Sequence, residues 1–229
     1  MSSKKILVVL TSHSDLGNTG HKTGFWVEEF AAPYYAFIDA GAEVTVATPK
    51  GGQAPIDPNS ELSDAQTAAT KRFYEDQTAQ NIIANTQLLS DMKQENFDAI
   101  FYPGGHGPLW DLTNNETSIA LIESFLHAEK PISSVCHAPS AFLNIKDSKG
   151  EYYVKGKTVT AFKNSEEDAV QLTDVVPFLL EDELKKRGAE YQSSADWSAF
   201  AVQDGLMITG QNPASSELVA EKLLTALSK

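Results

Sequence analysis

The chain carries a single cysteine, Cys136, within Pro131-Ile-Ser-Ser-Val-Cys-His-Ala-Pro139. The apolar run before it reads as a strand ending on the cysteine, and the residues after it read as a helix. A side chain on such an elbow stands clear of the sheet. The N–H groups opening the helix point to the same place and can hold an oxyanion. This suits attack of a thiol on a carbonyl, and Cys136 is expected to be solvent-reachable and to react with iodoacetamide faster than free cysteine near pH 6. A lone thiol is otherwise an inert buried side chain, so its neighbours decide between the two.

Three sets of neighbours bear on that choice. Gly104-Gly-His-Gly107 follows an apolar run, and its glycines let backbone approach a ligand closely; the N–H of Gly105, beside that of His137, is a candidate oxyanion donor. A thiol of ordinary pKa needs a base or a favourable field, and of the five histidines none lies after His137. That excludes the arrangement in which a histidine and a glutamate near the C-terminus serve the nucleophile. It leaves His137, His106 or the N-terminal pair His13 and His21. Among 31 Asp and Glu residues, position must single out an acid. Glu28 and Glu29 form one ambiguous pair at the start of an amphipathic stretch, and Glu166 and Glu167 form another.

The elements that must place these residues alternate strand with helix. Strands are expected at Lys5–Thr11, Ala42–Thr48, Phe97–Tyr102, Ile132–Val135, Thr158–Phe162 and Leu206–Thr209. Helices are expected over about 25–40 with a kink or break at Pro33, then over 64–89, 118–128, 137–143, 177–187 and 214–227. A small hairpin excursion is expected within Asn144–Gly156. The pattern predicts an α/β fold of one domain, residues 1–229, with a single open, mostly parallel sheet covered by helices on both faces. In such sheets reactive residues gather at the carboxyl ends of strands.

Composition sets outer limits. At 229 residues and 41% hydrophobic content the chain can bury a substantial core, and a formal charge of −13 with no basic stripe argues against nucleic acid as a partner. One cysteine allows no internal disulfide. Met1-Ser-Ser-Lys-Lys5 resembles the charged start of a leader, but the apolar run Ile6–Leu10 is too short for one, so a cytoplasmic protein with no membrane partner is expected.

Thr23-Gly-Phe-Trp-Val-Glu-Glu-Phe-Ala-Ala-Pro33, Tyr102-Pro-Gly-Gly-His-Gly-Pro108, Val135-Cys-His-Ala-Pro139 and Thr209-Gly-Gln-Asn-Pro-Ala-Ser215 together resemble the DJ-1/PfpI superfamily across essentially the whole chain. The similarity is greatest to the branch holding heat-shock chaperones and glutathione-independent glyoxalases. That resemblance implies a flavodoxin-like fold related to class I glutamine amidotransferases. It places the catalytic carboxylate on Glu29, makes Cys136, His137 and Glu167 a triad, and assigns the oxyanion donors to Gly105 and His137, with Gly104 and His106 completing the loop. Some relatives carry a metal site near the first helix; here Phe30–Ala40 contains no histidine, so no metal and no cofactor are expected. A homodimer is implied by the resemblance alone.

The expected reaction is cofactor-free conversion of methylglyoxal or a similar 2-oxoaldehyde to a 2-hydroxy acid through a Cys136 hemithioacetal. A stress holdase or protein deglycase, a cysteine peptidase or amidohydrolase, and a redox sensor compete with it. Phe25, Trp26 and Trp110 near the motifs suggest a small pocket.

Overall fold

The alternation of side chains along Lys5–Val9 (β1) divides the fold into layers. In the computed structural model, which describes residues 3–228, Leu7 and Val9 join one buried cluster and Ile6 and Val8 another on the opposite face. Met1 and Ser2, which open the segment compared above with a leader, lie outside the described residues, as does Lys229. The remaining strands are β2 (Glu43–Thr48), β3 (Gln87–Leu88), β4 (Ala99–Tyr102), β5 (Ile132–Val135), β6 (Thr158–Val159), β7 (Glu190–Tyr191), β8 (Ala201–Asp204) and β9 (Met207–Gly210). Seven of them form one sheet in the order β3-β2-β1-β4-β5-β9-β8, parallel except where β8 runs against β9. The expected open, flavodoxin-like parallel sheet is therefore present.

Helices cover both faces: α1 (Val27–Asp39), α2 (Ala68–Glu75), α3 (Gln77–Ala84), α4 (Pro108–Asp111), α5 (Glu116–His127), α6 (Asn164–Ala169), α7 (Leu180–Lys186) and α8 (Ser216–Leu227). Phe30 and Phe37 of α1 and Val219 and Leu223 of α8 pack on the face of Ile6, Val8 and Phe101. Ile122 and Phe125 of α5 and Leu184 of α7 lie with Leu7, Ile100 and Tyr102 on the other. None of the helices among the described residues is long and apolar enough to cross a membrane.

Several local expectations are corrected. Of the kink or break expected at Pro33, the break is absent: α1 continues through the proline, which forfeits the hydrogen bond to the carbonyl four residues back. The single helix expected over 64–89 is two eight-residue helices separated by Asp76, whose carboxylate accepts from the N–H groups of Thr78 and Ala79 and so starts α3 afresh. After Cys136 the chain forms a five-residue 3-10 turn, Ala138–Phe142, rather than an α-helix. Thr158–Val159 pairs with Glu190–Tyr191 in a separate two-stranded sheet instead of joining the main one. The expected hairpin appears as a bridge between Lys146 and Tyr152.

Candidate active site

The sheet order reverses between β1 and β4, and the loops leaving the carboxyl ends of β1, β4 and β5 converge beside that point. Cys136 follows the last residue of β5. Its N–H donates to the carbonyl of Gly210 and its carbonyl accepts from Phe162, which holds the residue at φ +63°. A non-glycine residue there is strained and persists only where its surroundings over-determine it.

The backbone presents the thiol, but the packing hides it. Cys136 is 3% exposed, and burial, reinforced by the adjacent Glu29, pushes its thiol well above the ordinary pKa. The expectation of a solvent-reachable thiol reacting readily near pH 6 is therefore corrected: burial closes off access and disfavours the thiolate. A route for the thiol proton is at hand. Sγ lies 3.3 Å from His137 Nδ1, and His137 Nε2 lies 2.6 Å from Glu167 Oε2. Burial would raise the Glu167 pKa, but the two histidines facing its carboxylate override this and hold it well below the usual range. As an anion Glu167 can only accept, so Nε2 of His137 carries the proton and Nδ1 is the acceptor facing the thiol. Burial, with the neighbouring His106, lowers the His137 pKa and keeps that ring neutral at rest.

His106 is the second of those histidines. Its Nε2 lies 2.7 Å from Glu167 Oε1, and its ring sits 4.0 Å from that of His137. The family resemblance puts His106 in the oxyanion and substrate loop; the structure gives its Nε2 to Glu167. Donor atoms of His106, His137 and Glu167 all lie within 4.8 Å of one another, a set of metal-ligating types. Here each Nε2 faces a carboxylate oxygen at hydrogen-bond distance, so the set is complete as a proton-holding network.

Glu29 approaches from α1. It is fully buried; Oε2 accepts from the N–H of Gly104 at 2.6 Å, and Oε1 has no hydrogen-bond partner among the described residues. Burial lifts its pKa from the usual 4.5 to about 8, even though contacts with Cys136 and Gly104 pull the other way. Glycine at 104 is what permits this approach: a Cβ there would stand 2.5 Å from Glu29 Oε2 and 3.1 Å from the Cys136 Cβ. Gly105 adopts φ +94°, and a Cβ on it would meet the carbonyl oxygen of Gly24 at 2.3 Å. The N–H groups of Gly105 and His137 donate to no other described residue, which leaves both available to an oxyanion. Glu28, one position earlier, turns away to accept from the Thr67 hydroxyl.

Of the alternative acids near Glu167, Asp168 is exposed. Glu166 is buried, and its carboxylate accepts from Lys163 N, Trp197 N, Gln211 Nε2 and Asn212 Nδ2. That role escaped sequence reasoning, although Gln211 and Asn212 stand in the closing motif. His13 stacks on Trp110, and His21 is exposed and lines the groove described next, with no contact to Cys136. The expectation of a small pocket is also corrected. A groove of about 1000 Å³ opens over His106, walled by Trp26, Leu62, Val170, Leu172 and Trp197, while Phe25 belongs to the core.

Relatives share this chain across its length. Glyoxalase 3 of Candida albicans is 30% identical over 97% of this chain and 98% of its own. The glutathione-independent glyoxalase HSP31 of Saccharomyces cerevisiae is 27% identical over 99% of both. The crystal structure of the Francisella tularensis Rapid Encystment Protein of 24 kDa matches with a TM-score of 0.93 at 38% identity, covering 98% of this chain and 99% of that one. Glyoxalase III from Candida albicans matches with a TM-score of 0.90 at 30% identity and 97% coverage of each. The DJ-1/PfpI family profile spans residues 22–226, and the chain belongs to the DJ-1/PfpI family.

Proposed function

We infer that this protein is a glutathione-independent glyoxalase, converting a 2-oxoaldehyde such as methylglyoxal to the 2-hydroxy acid. The observation that carries the inference is the buried Glu29 carboxyl, with a pKa of about 8 and one oxygen unpartnered, set across Gly104 from the only cysteine. Full-length likeness to glyoxalases of two yeasts supports it.

In this reading Cys136 Sγ attacks the aldehyde carbon as its proton passes to His137 Nδ1, and Glu167 stabilises the imidazolium. The N–H groups of Gly105 and His137 receive the developing oxyanion. Protonated Glu29 gives its proton to that oxygen, completing a hemithioacetal, and is left as a carboxylate beside the former aldehyde C–H. It removes that proton to form an enediol, whose second oxygen takes the proton held by His137, and returns it to the adjacent carbon; the first oxygen gives its own proton back to Glu29 as the thioester forms, which leaves His137 neutral. Water, deprotonated by His137, hydrolyses the thioester and restores the thiol. One carbon is oxidised as its neighbour is reduced and one water is consumed, so the balance closes without an external hydride carrier. A carboxyl whose pKa lies near the working pH can serve both as acid and as base in this sequence.

Residues 1–229 are proposed to act as one domain, in the cytoplasm and as a homodimer, in keeping with the family resemblance. The test is lactate formation from methylglyoxal without glutathione, beside Cys136→Ser. Turnover abolished by the substitution supports the reading. Absence of lactate from wild-type protein, with client aggregation suppressed equally by Cys136→Ala, would replace it with a holdase.

A further inference from the structure

Trp197 is the most conspicuous side chain that this mechanism leaves unused. It is 46% exposed, adopts φ +63°, and donates its N–H to the buried Glu166 at 2.8 Å. A bulky residue in the left-handed region is strained, and an exposed indole gains little packing within its own chain. One edge rests on Phe162, 5.8 Å away between ring centroids, and Phe162 in turn lies 4.2 Å from His137. The indole is thus held in a fixed place, one ring removed from the catalytic histidine, on the wall of the groove that opens over His106.

That groove is far larger than a three-carbon aldehyde requires. Its volume of about 1000 Å³ reaches the upper end of the roughly 300–1,000 Å³ typical of sites for drug-sized ligands. Its polar walls are largely engaged within the protein: Glu28 by Thr67, Asp57 by Thr23 and Asn59, and Lys22 by Asp15. What remains free to contact a ligand is mainly apolar, namely Trp26, Leu62, Val170, Leu172 and Trp197, with His21, Asn59 and Gln171 the polar exceptions.

We propose that the preferred substrates are 2-oxoaldehydes bearing a bulky apolar substituent, aryl or branched alkyl, which lies in this groove against Trp197, Val170 and Leu172. The proposal rests on the glyoxalase reading and deepens it by naming the substrate class. The dicarbonyl end reaches past His106 to Cys136, and the substituent supplies binding that methylglyoxal cannot. A single added methylene in an apolar site changes kcat/KM by roughly tenfold or more.

The test compares kcat/KM for methylglyoxal, isobutylglyoxal and phenylglyoxal in wild type, Trp197→Ala and Val170→Asp. Val170 is 40% exposed at the end of α6, so its substitution reports on the groove even if Trp197→Ala disturbs Phe162. Wild type should favour the larger aldehydes by about tenfold or more, and both variants should reduce that ratio toward one. Turnover of methylglyoxal without a preference for the larger aldehydes, or a preference unmoved by either variant, overturns this inference alone. Failure to turn over any of the three overturns the glyoxalase reading with it. Loss of aggregation suppression in Trp197→Ala with an unchanged aldehyde ratio would assign the groove to unfolded chains instead.

Discussion

Replacing Glu29 by glutamine should make the protein more stable while destroying its activity, and the gain should grow with pH. Glu29 is buried with a pKa near 8 against 4.5 for an unburied carboxyl. Its folded pKa is raised, so between those values the unfolded chain has released a proton that the folded chain still holds. Stability therefore falls as pH rises through that window. Each such pH unit costs about 1.4 kcal/mol, and from about pH 5 to pH 8 the loss accumulates to roughly 3 kcal/mol. Glutamine does not titrate, yet its carbonyl can still accept the Gly104 N–H. The stability difference between Glu29→Gln and wild type should thus be about 3 kcal/mol larger at pH 8 than at pH 5, or roughly 6–12 °C in Tm for a chain of this size. The other ionisable groups are common to both proteins; Cys136, whose thiol Glu29 helps push up, is coupled to the substitution, but its pKa lies well above this pH range in the wild type. Urea or thermal unfolding at the two pH values measures the difference, and lactate formation monitors activity. A stability difference that does not change with pH would refute the reasoning, because it would mean that Glu29 is not carrying a displaced proton in the folded chain.

Three further outcomes follow from the same geometry. The kcat/KM profile for the aldehyde should fall on the alkaline side near pH 8, as Glu29 loses the proton it must donate, and on the acid side below the usual histidine pKa of 6.5, where His137 charges. Iodoacetamide should alkylate Cys136 at neutral pH more slowly than it does free cysteine, by roughly tenfold or more, because burial withholds both the thiolate and access to it; mass spectrometry of the native protein gives the rate. Gly105→Ala should destabilise the fold by at least about 1–3 kcal/mol from backbone strain alone, with the contact to the Gly24 carbonyl adding to that, and denaturant titration would detect it.

The parts of the fold legible in the sequence are those where one physical signal dominates. Long β-branched runs such as Lys5–Val9 can be buried on both faces only inside a parallel sheet. The two-residue strands Gln87–Leu88 and Glu190–Tyr191 have no such signature, since pairing with distant partners creates them. Cys136 and the Gly104-Gly105 turn were visible because few residue types can occupy such positions. The burial of the thiol was not, for it depends on how α1 and the 24–26 segment close over the strand ends. Likewise the sharing of Glu167 between two histidines joins residues 30 and 61 positions away, a distance over which spacing carries no geometric information.

Glu166 and Glu167 sit side by side in the sequence and serve opposite ends of the molecule's needs. One ties Lys163, Trp197, Gln211 and Asn212 into a single buried junction; the other faces His106 and His137. Adjacent positions on a helix point about 100° apart, so neither carboxylate can stand in for the other by a rotamer change. Insertion or deletion of one residue between Phe162 and Glu166 would disturb the loop junction and the histidine pair at once. Helix α6 is short and borders solvent, the kind of segment in which length variation is ordinarily tolerated. Its register is nonetheless fixed from two directions, so a change in loop length should be accommodated only on the far side of Ala169.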